Sequence, residues 1–291
     1  MWGFFSIPLR NLKEFPSEQI LHYRIFTSLI ITWLVILLFR RKNLQADISY
    51  LKNETPGNRK KLLWLTIAAG VLITGNWFSF IYAVNHVSLK SAAFAYMVCP
   101  LITALGGFMI LKEHLTSIKL ISLAIALTSI LILAQGDIVD VIWSIFIAAL
   151  YAFYLIIQRV VQKIDKFNML GVQLIISLIL MLPLFISHFE SIPTGIDFWL
   201  NIIVISVVFT IIPLFLSLYA LVGMPSSTLG IIIYINPVVA FAVAIVYFNE
   251  GITTTQIFAY LLLLAAVIVF NWALISDIFT SRFRKPSAKI A

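Results

Sequence analysis

Few residues in this chain could do chemistry, and those that could are scattered through apolar sequence. Arg24 stands well inside an apolar run; a cation there either meets an anionic ligand or snorkels to the headgroups. Tyr23 adjoins it, and Ser28 lies one turn further along the same face. Asn76 and Asn236 are amides near the middle of two other apolar runs. Buried amides need partners, so each either lines a cavity or ties helices together. Trp77, Tyr82, Tyr96 and Tyr234 carry aromatic faces with polar tips, which suit a binding wall but equally suit packing or an interfacial belt. Arg24, Asn76, Trp77, Tyr82, Tyr96, Tyr234 and Asn236 form the candidate substrate-binding set; Gln173, Tyr151 and Tyr154 are weaker candidates.

Hydrolytic signatures are absent: there is no HExxH, no GxSxG and no paired Cys and His. Cys99 is the one cysteine, which leaves no disulfide or zinc framework. His22, His86, His114 and His188 all flank apolar runs, so no metal site is expected. The 12 acidic residues lie at helix ends or in loops, whereas proton relays keep a carboxylate at the membrane midplane; carboxylate-based proton coupling is not expected. No catalytic residue, cofactor or metal follows, and the chain does not read as an enzyme.

The elements that must position these groups are set by composition. With 62% hydrophobic and 11% charged residues and a mean hydropathy of +1.05, the chain is an all-α polytopic membrane protein. Nine apolar runs are long enough to span: roughly 20 to 39, 62 to 84, 90 to 111, 117 to 134, 140 to 158, 168 to 187, 198 to 222, 225 to 248 and 254 to 275. A tenth, from Trp2 to Leu12, is half a span. A shift of about 137 positions, from Pro100 to Pro237, also lays Tyr82 on Tyr219, Glu113 on Glu250 and Thr116 on Thr253. Near the start, Trp2 and Arg10 match Tyr151 and Arg159 with a shift of about 149, the loop 40 to 61 accounting for the difference. About ten residues of the first helix are then missing, and the natural reading frame is expected to start upstream.

Ten helices, the first truncated, therefore form two five-helix repeats, 1–135 and 136–276, followed by a basic tail, 277–291. All but four of the 20 Lys and Arg residues fall on one side when both termini are placed in the cytoplasm. An odd number of spans per repeat inverts the second copy, which places a shared site near the midplane. Pro100 and Pro237 each interrupt a helix and free a carbonyl four residues back, so they are the expected hinges. Pro8, Pro183 and Pro213 read as ordinary packing kinks. Glu113 and Glu250 end their helices and each precedes a threonine that opens the next; both read as structural, accepting bonds from the N–H groups of that next helix. The helices at 117 to 134 and 254 to 275 are almost wholly aliphatic and belong outermost, and 40 to 61 reads as a solvated connector.

Trp2-Gly3, Glu18 to Ser28, Gly75-Asn76-Trp77 through Asn85, Tyr96 to Glu113, and Ser227 to Gly230 through Pro237 to Glu250 together resemble the EamA family of the drug/metabolite transporter superfamily, in its RarD-like branch. The resemblance spans essentially the whole chain. It implies two inverted five-helix repeats around a cavity built from helices 1 to 4 and 6 to 9, with small-molecule export or exchange without ATP. Two positions depart from the pattern: Tyr23 replaces the usual histidine before the arginine, and Cys99-Pro100 replaces an Asn-Pro pair that Asn236-Pro237 keeps.

The expected function is a secondary-active or facilitative transporter, an exporter of small amphiphilic metabolites, amino acids or drugs, working by alternating access in the cytoplasmic (inner) membrane. The alternative is a non-transporting membrane protein, such as a lipid scramblase or a membrane assembly subunit, in which the polar residues only hold helices together. A small-molecule substrate and the lipid bilayer are the expected partners; nucleic acid is not, because the basic residues are dispersed between apolar runs, and a homodimer is left open.

Overall fold

A computed structural model describes residues 1–86, 89–133, 138–187, 192–247, 249 and 253–272. The described residues are helical, without a strand. Trp2–Phe4 forms a single 3₁₀ turn that leads into the short helix α1 (Ser6–Arg10). Pro16, extended at ψ 138°, then sets the chain for α2 (Ser17–Phe39), and Glu18 sits favourably in its first turn. The segment expected as a solvated connector is instead largely helical. It contains α3 (Arg41–Asn53), which directs Leu44 at the core and buries Asp47 while Arg41, Lys42 and Lys52 stay in solvent. This amphipathic spacing was hidden by the segment's charge. Pro56 then opens α4 (Pro56–His86), a first-turn position where its missing N–H costs nothing.

The next helices follow the apolar runs: α5 (Leu89–Leu111, with Pro100 inside), α6 (Ser117–Leu133), α7 (Ile138–Val160) and α8 (Lys166–Ser187). The run that follows is one rod of three parts: α9 (Ile196–Ser206), a π-helical turn (Val207–Ile211) and α10 (Ile212–Gly223). The Pro237 helix is divided at Tyr234 into α11 (Ser226–Ile233) and α12 (Ile235–Val246), and α13 (Thr254–Phe270) begins in a capping box of Thr253 and Gln256. All nine expected runs thus carry helix. Among the described residues, five spans are long and apolar enough to cross a membrane, and the helical stretches Ala95–Leu111, Ser117–Leu133, Ser226–Ala240 and Thr254–Phe270 are shorter but apolar.

Several helices far apart in the sequence pack together. α2 packs along α8, and α6 along α13. The aliphatic pair α6 and α13 is joined by Ser122 Oγ and Ser129 Oγ, which donate to the carbonyls of Ala266 and Ala259 at 2.7 Å each. α5 packs on α7 and on α11. Where α5 meets α11, a Cβ on Gly230 would lie 2.9 Å from the Thr103 side chain and 3.6 Å from Pro100 Cα, so the two proline-bearing helices touch through a missing side chain. Lys112 and Asn249, separated by the same shift as the two prolines, are the non-glycine residues with positive φ (55° and 53°) among the described residues.

Candidate functional site

Arg24, about two turns into α2, is held against the π-helical turn. Pro213 has no N–H for the carbonyl of Phe209, and that carbonyl accepts the indole N–H of Trp2 at 2.8 Å. The widened turn it belongs to presents Thr210, whose Oγ1 donates to Ile205 O at 3.0 Å and accepts Arg24 Nε at 2.7 Å. The guanidinium carbon lies 4.9 Å from the Trp77 ring centre and 5.5 Å from that of Phe5, within cation–π range of both. Arg24 bonds no carboxylate in the described structure. It is half-buried, and Tyr96, within electrostatic reach, is 36% exposed although it lies on an apolar helix.

Beyond Trp77 the site narrows into a seam lined by Ile73, Trp77, Tyr154, Leu170, Gln173, Leu174, Ser177 and Leu214. Tyr154 O–H donates to Gln173 Oε1 at 3.2 Å, and Tyr154 stacks on Tyr151, which meets Trp2 edge-on. The hydroxyl oxygens of Thr74 and Ser177 lie 2.7 Å apart and reach the carbonyls of Gly70 and Gln173. Of the atoms that line it, Gln173 Nε2 is buried without a partner, as are Ser28 Oγ and Thr32 Oγ1 on the Arg24 face of α2. The seam has no room for a water molecule. A cavity between α2, α4 and α8, lined by Glu18, Gln19, His22, Phe78 and Phe185 among others, measures about 20 Å³, enough for one water. The expected polar-walled pocket is thus a packed seam here, not an open cavity.

The remaining candidates disperse. Asn76 is buried and donates from Nδ2 to Ile147 O at 2.9 Å, tying α4 to α7. Tyr82 stacks on Trp143 with 5.3 Å between centroids, and Tyr96 tilts against Phe80 at the same distance. Tyr234 is fully buried with its hydroxyl unpartnered. Asn236 is half-buried, and its backbone carbonyl lies against Gly3. Pro100 and Pro237 are both buried, Pro100 at the α5–α11 crossing and Pro237 just past the break in its helix.

Glu113 bonds differently from expectation. Its Oε1 accepts the N–H and Oγ of Ser226 at 2.7 and 2.9 Å, and its Oε2 accepts Ser227 N–H at 3.0 Å. It therefore caps α11, in the other half of the chain, and not the helix that follows it. A side chain at Gly107 would fall 2.7 Å from Glu113 Oε2, so that glycine makes room for the carboxylate. Burial raises the Glu113 pKa, but the bonds from Ser227 and Ser226 outweigh it and hold the acid below its ordinary value. Glu250 lies outside the described residues.

A second charged cluster closes the far end of α2. Arg40 Nη2 meets Asp165 Oδ2 at 2.7 Å, and Asn43 Nδ2 donates to the same oxygen at 3.0 Å. Asp165 Oδ1 accepts the N–H groups of Phe167 and Asn168, at 3.0 and 3.1 Å, and so caps α8. Asp47 accepts Asp165 N–H (3.1 Å to Oδ1) and Asn168 Nδ2 (2.6 Å). Burial raises the Asp165 pKa, but the bonds from Asn43, Asn168 and Arg40 hold it below the ordinary value.

Comparison with known proteins decides the family. The model of the EamA-like transporter family matches residues 1–135 and 139–272. The chain belongs to that family. It is 28% identical to the "Uncharacterized transporter YojE" of Bacillus subtilis, over 94% of this chain and 90% of that protein. It is 26% identical to the "Protein RarD" of Streptomyces exfoliatus, over 99% and 90%, and to that of Escherichia coli, over 93% and 90%. A crystal structure with 13% identity superposes with a TM-score of 0.74 over 94% of both chains, which shows a shared fold. Family and apolar helices together make this an integral membrane protein of the RarD-like branch, of transporter type, with a small-molecule substrate. The family's span also contains residues that sequence reasoning passed over, Phe5 and Thr210. The signal for Thr210 is Pro213, three residues on, which by sequence alone reads as an ordinary kink.

Proposed function

We propose that the chain is a secondary-active or facilitative carrier that exports small amphiphilic organic solutes by alternating access, gripping their anionic group with Arg24. One observation carries this reading: an arginine inside a membrane helix, stacked on Trp77 and steadied by Thr210, with no carboxylate bonded to it. A cation costs several kcal/mol in that setting unless something compensates it, and a ligand's carboxylate would do so through the guanidinium's remaining donors. The pairing of α2 with α8 and of α6 with α13 supports two equivalent units related by a two-fold axis, and inverted units would rock about the α5–α11 crossing. The positive-inside rule assigns the Arg40–Asp165 cluster to the cytoplasmic side of the inner membrane, with both termini cytoplasmic, and opening to that side would separate α2 from α8 there. The seam is then an occluded conformation.

The test is counterflow of labelled organic anions into proteoliposomes. Arg24→Ala is expected to lower the rate about a hundredfold and Arg24→Lys about tenfold, since an ammonium cannot fork or stack as a guanidinium does. An unchanged rate in a monodisperse Arg24→Ala protein would sink the assignment. The packed seam favours a second reading, a membrane protein that carries no solute; lipid flipping without solute flux in the same vesicles would support it.

A further inference from the structure

Among the residues that line the seam beyond Trp77, one has a polar side-chain atom with nothing bound to it, and its chemistry is specific. Gln173 Oε1 already accepts Tyr154 O–H, and the hydroxyls of Thr74 and Ser177 are engaged with each other and with carbonyls. What remains is the Gln173 Nε2 amide, on a side chain that is 1% exposed. An amide N–H is a donor only. No seam residue is acidic. Gln173 is also the counterpart of Arg24 under the shift that matches Trp2 to Tyr151, so the two poles of the site sit on helices that pack together, with Trp77 touching both.

Resting on the carrier reading above, we propose that this site selects amphiphilic monoanions whose far end is a neutral hydrogen-bond acceptor, such as a hydroxyl or carbonyl oxygen, and rejects zwitterions. Gln173 is the residue that sets the choice. An ammonium at the far end would face a donor and no carboxylate, and would be buried uncompensated. An oxygen there accepts from Nε2, and the apolar middle of the ligand lies over Trp77. One cation in the site takes one anion, so a second charge of either sign is selected against.

Matched probes test this: ω-hydroxyhexanoate against ω-aminohexanoate, and ω-hydroxypentanoate against ω-aminopentanoate, in counterflow with the full chain in proteoliposomes. The hydroxy acid of each pair is expected to move at least about tenfold faster than its amino partner, because a buried charge left unpaired is strongly disfavoured. Gln173→Glu, which adds the missing carboxylate, is expected to shift the ratio toward the amino acid by about tenfold. Equal or faster movement of the amino acids in the unmutated protein overturns the proposal and leaves the carrier reading standing. Movement of neither partner in any pair overturns both. Gln173→Leu separates selection from packing: equal slowing of both partners with an unchanged ratio overturns the role of Gln173.

Discussion

Two arginines on one helix have opposite fates. Arg40, at the end of α2, meets Asp165 at 2.7 Å, lies 5.6 Å from the Phe167 ring, and belongs to a network that also caps α8 and engages α3. Arg24, further up the same helix, has an aromatic face and one hydroxyl but no anion. The flanking chemistry is alike and the carboxylate is the difference. Where a charge is already neutralised it serves the fold; where it is left open inside a membrane, the proposed carrier role gives it an anionic solute to meet.

The sharpest way to break this comparison is to give Arg24 the partner that Arg40 has. Thr210→Asp places a carboxylate where Nε now finds a hydroxyl. The internal ion pair is expected to occupy the cation permanently, lowering anion counterflow about a hundredfold while thermal stability holds or rises. Unimpaired counterflow would show that the open charge of Arg24 is not what the solute uses.

The reverse change removes the anion from the paired arginine. Asp165→Ala strips the α8 cap and two charge-assisted bonds, and is expected to cost about 2 kcal/mol after discounting for partial exposure. Thermal unfolding in detergent measures it, and counterflow should persist. The pH dependence has a definite sign: the Asp165 pKa is depressed in the fold, so its contribution is complete above the unfolded value and lost as pH falls through the folded one. Since the ordinary value is 3.8, stability from this group should be flat from neutrality to about pH 5 and decline only below pH 4. A loss centred near pH 6 would point to another group.

The same contrast explains what the sequence made legible. Run lengths and hydropathy locate the helices because a bilayer demands about twenty apolar residues whatever the packing. Arg24 was visible as the one cation well inside an apolar run. Its surroundings were not: Thr210 and Phe5 reach it only through a π-helical turn and the packing of the first turns of the chain, neither of which leaves a periodic trace. Amide chemistry was legible in kind but not in place. Asn76 and Gln173 are both buried amides; one donates to Ile147 O, and the other keeps a free N–H beside Trp77. α3 was missed because charge masked its spacing, and the Glu113 partner because sequence proximity favoured the next helix over one more than a hundred residues away.

Glu113 sharpens the comparison on the anionic side, since its bonds to α11 resemble those of Asp165 to α8. Glu113→Gln keeps the shape, loses the charge at a helix N-terminus, and is expected to cost about 1 kcal/mol in unfolding with little change in counterflow. A large transport defect without a stability loss would instead assign the carboxylate a part in the transport cycle.

The smallest effect is expected at Asn76. Its amide is buried and satisfied by Ile147 O, a bond between two helices of the kind that averages about 0.6 kcal/mol in a membrane because the separated helices also find partners. Asn76→Ala should therefore lower stability by no more than about 1 kcal/mol and leave the hydroxy-acid to amino-acid ratio unchanged, whereas changes at Gln173 move that ratio. If Asn76→Ala alters selectivity as much as Gln173→Glu, then a satisfied amide is acting on the solute, and the rule drawn from the two arginines fails for amides.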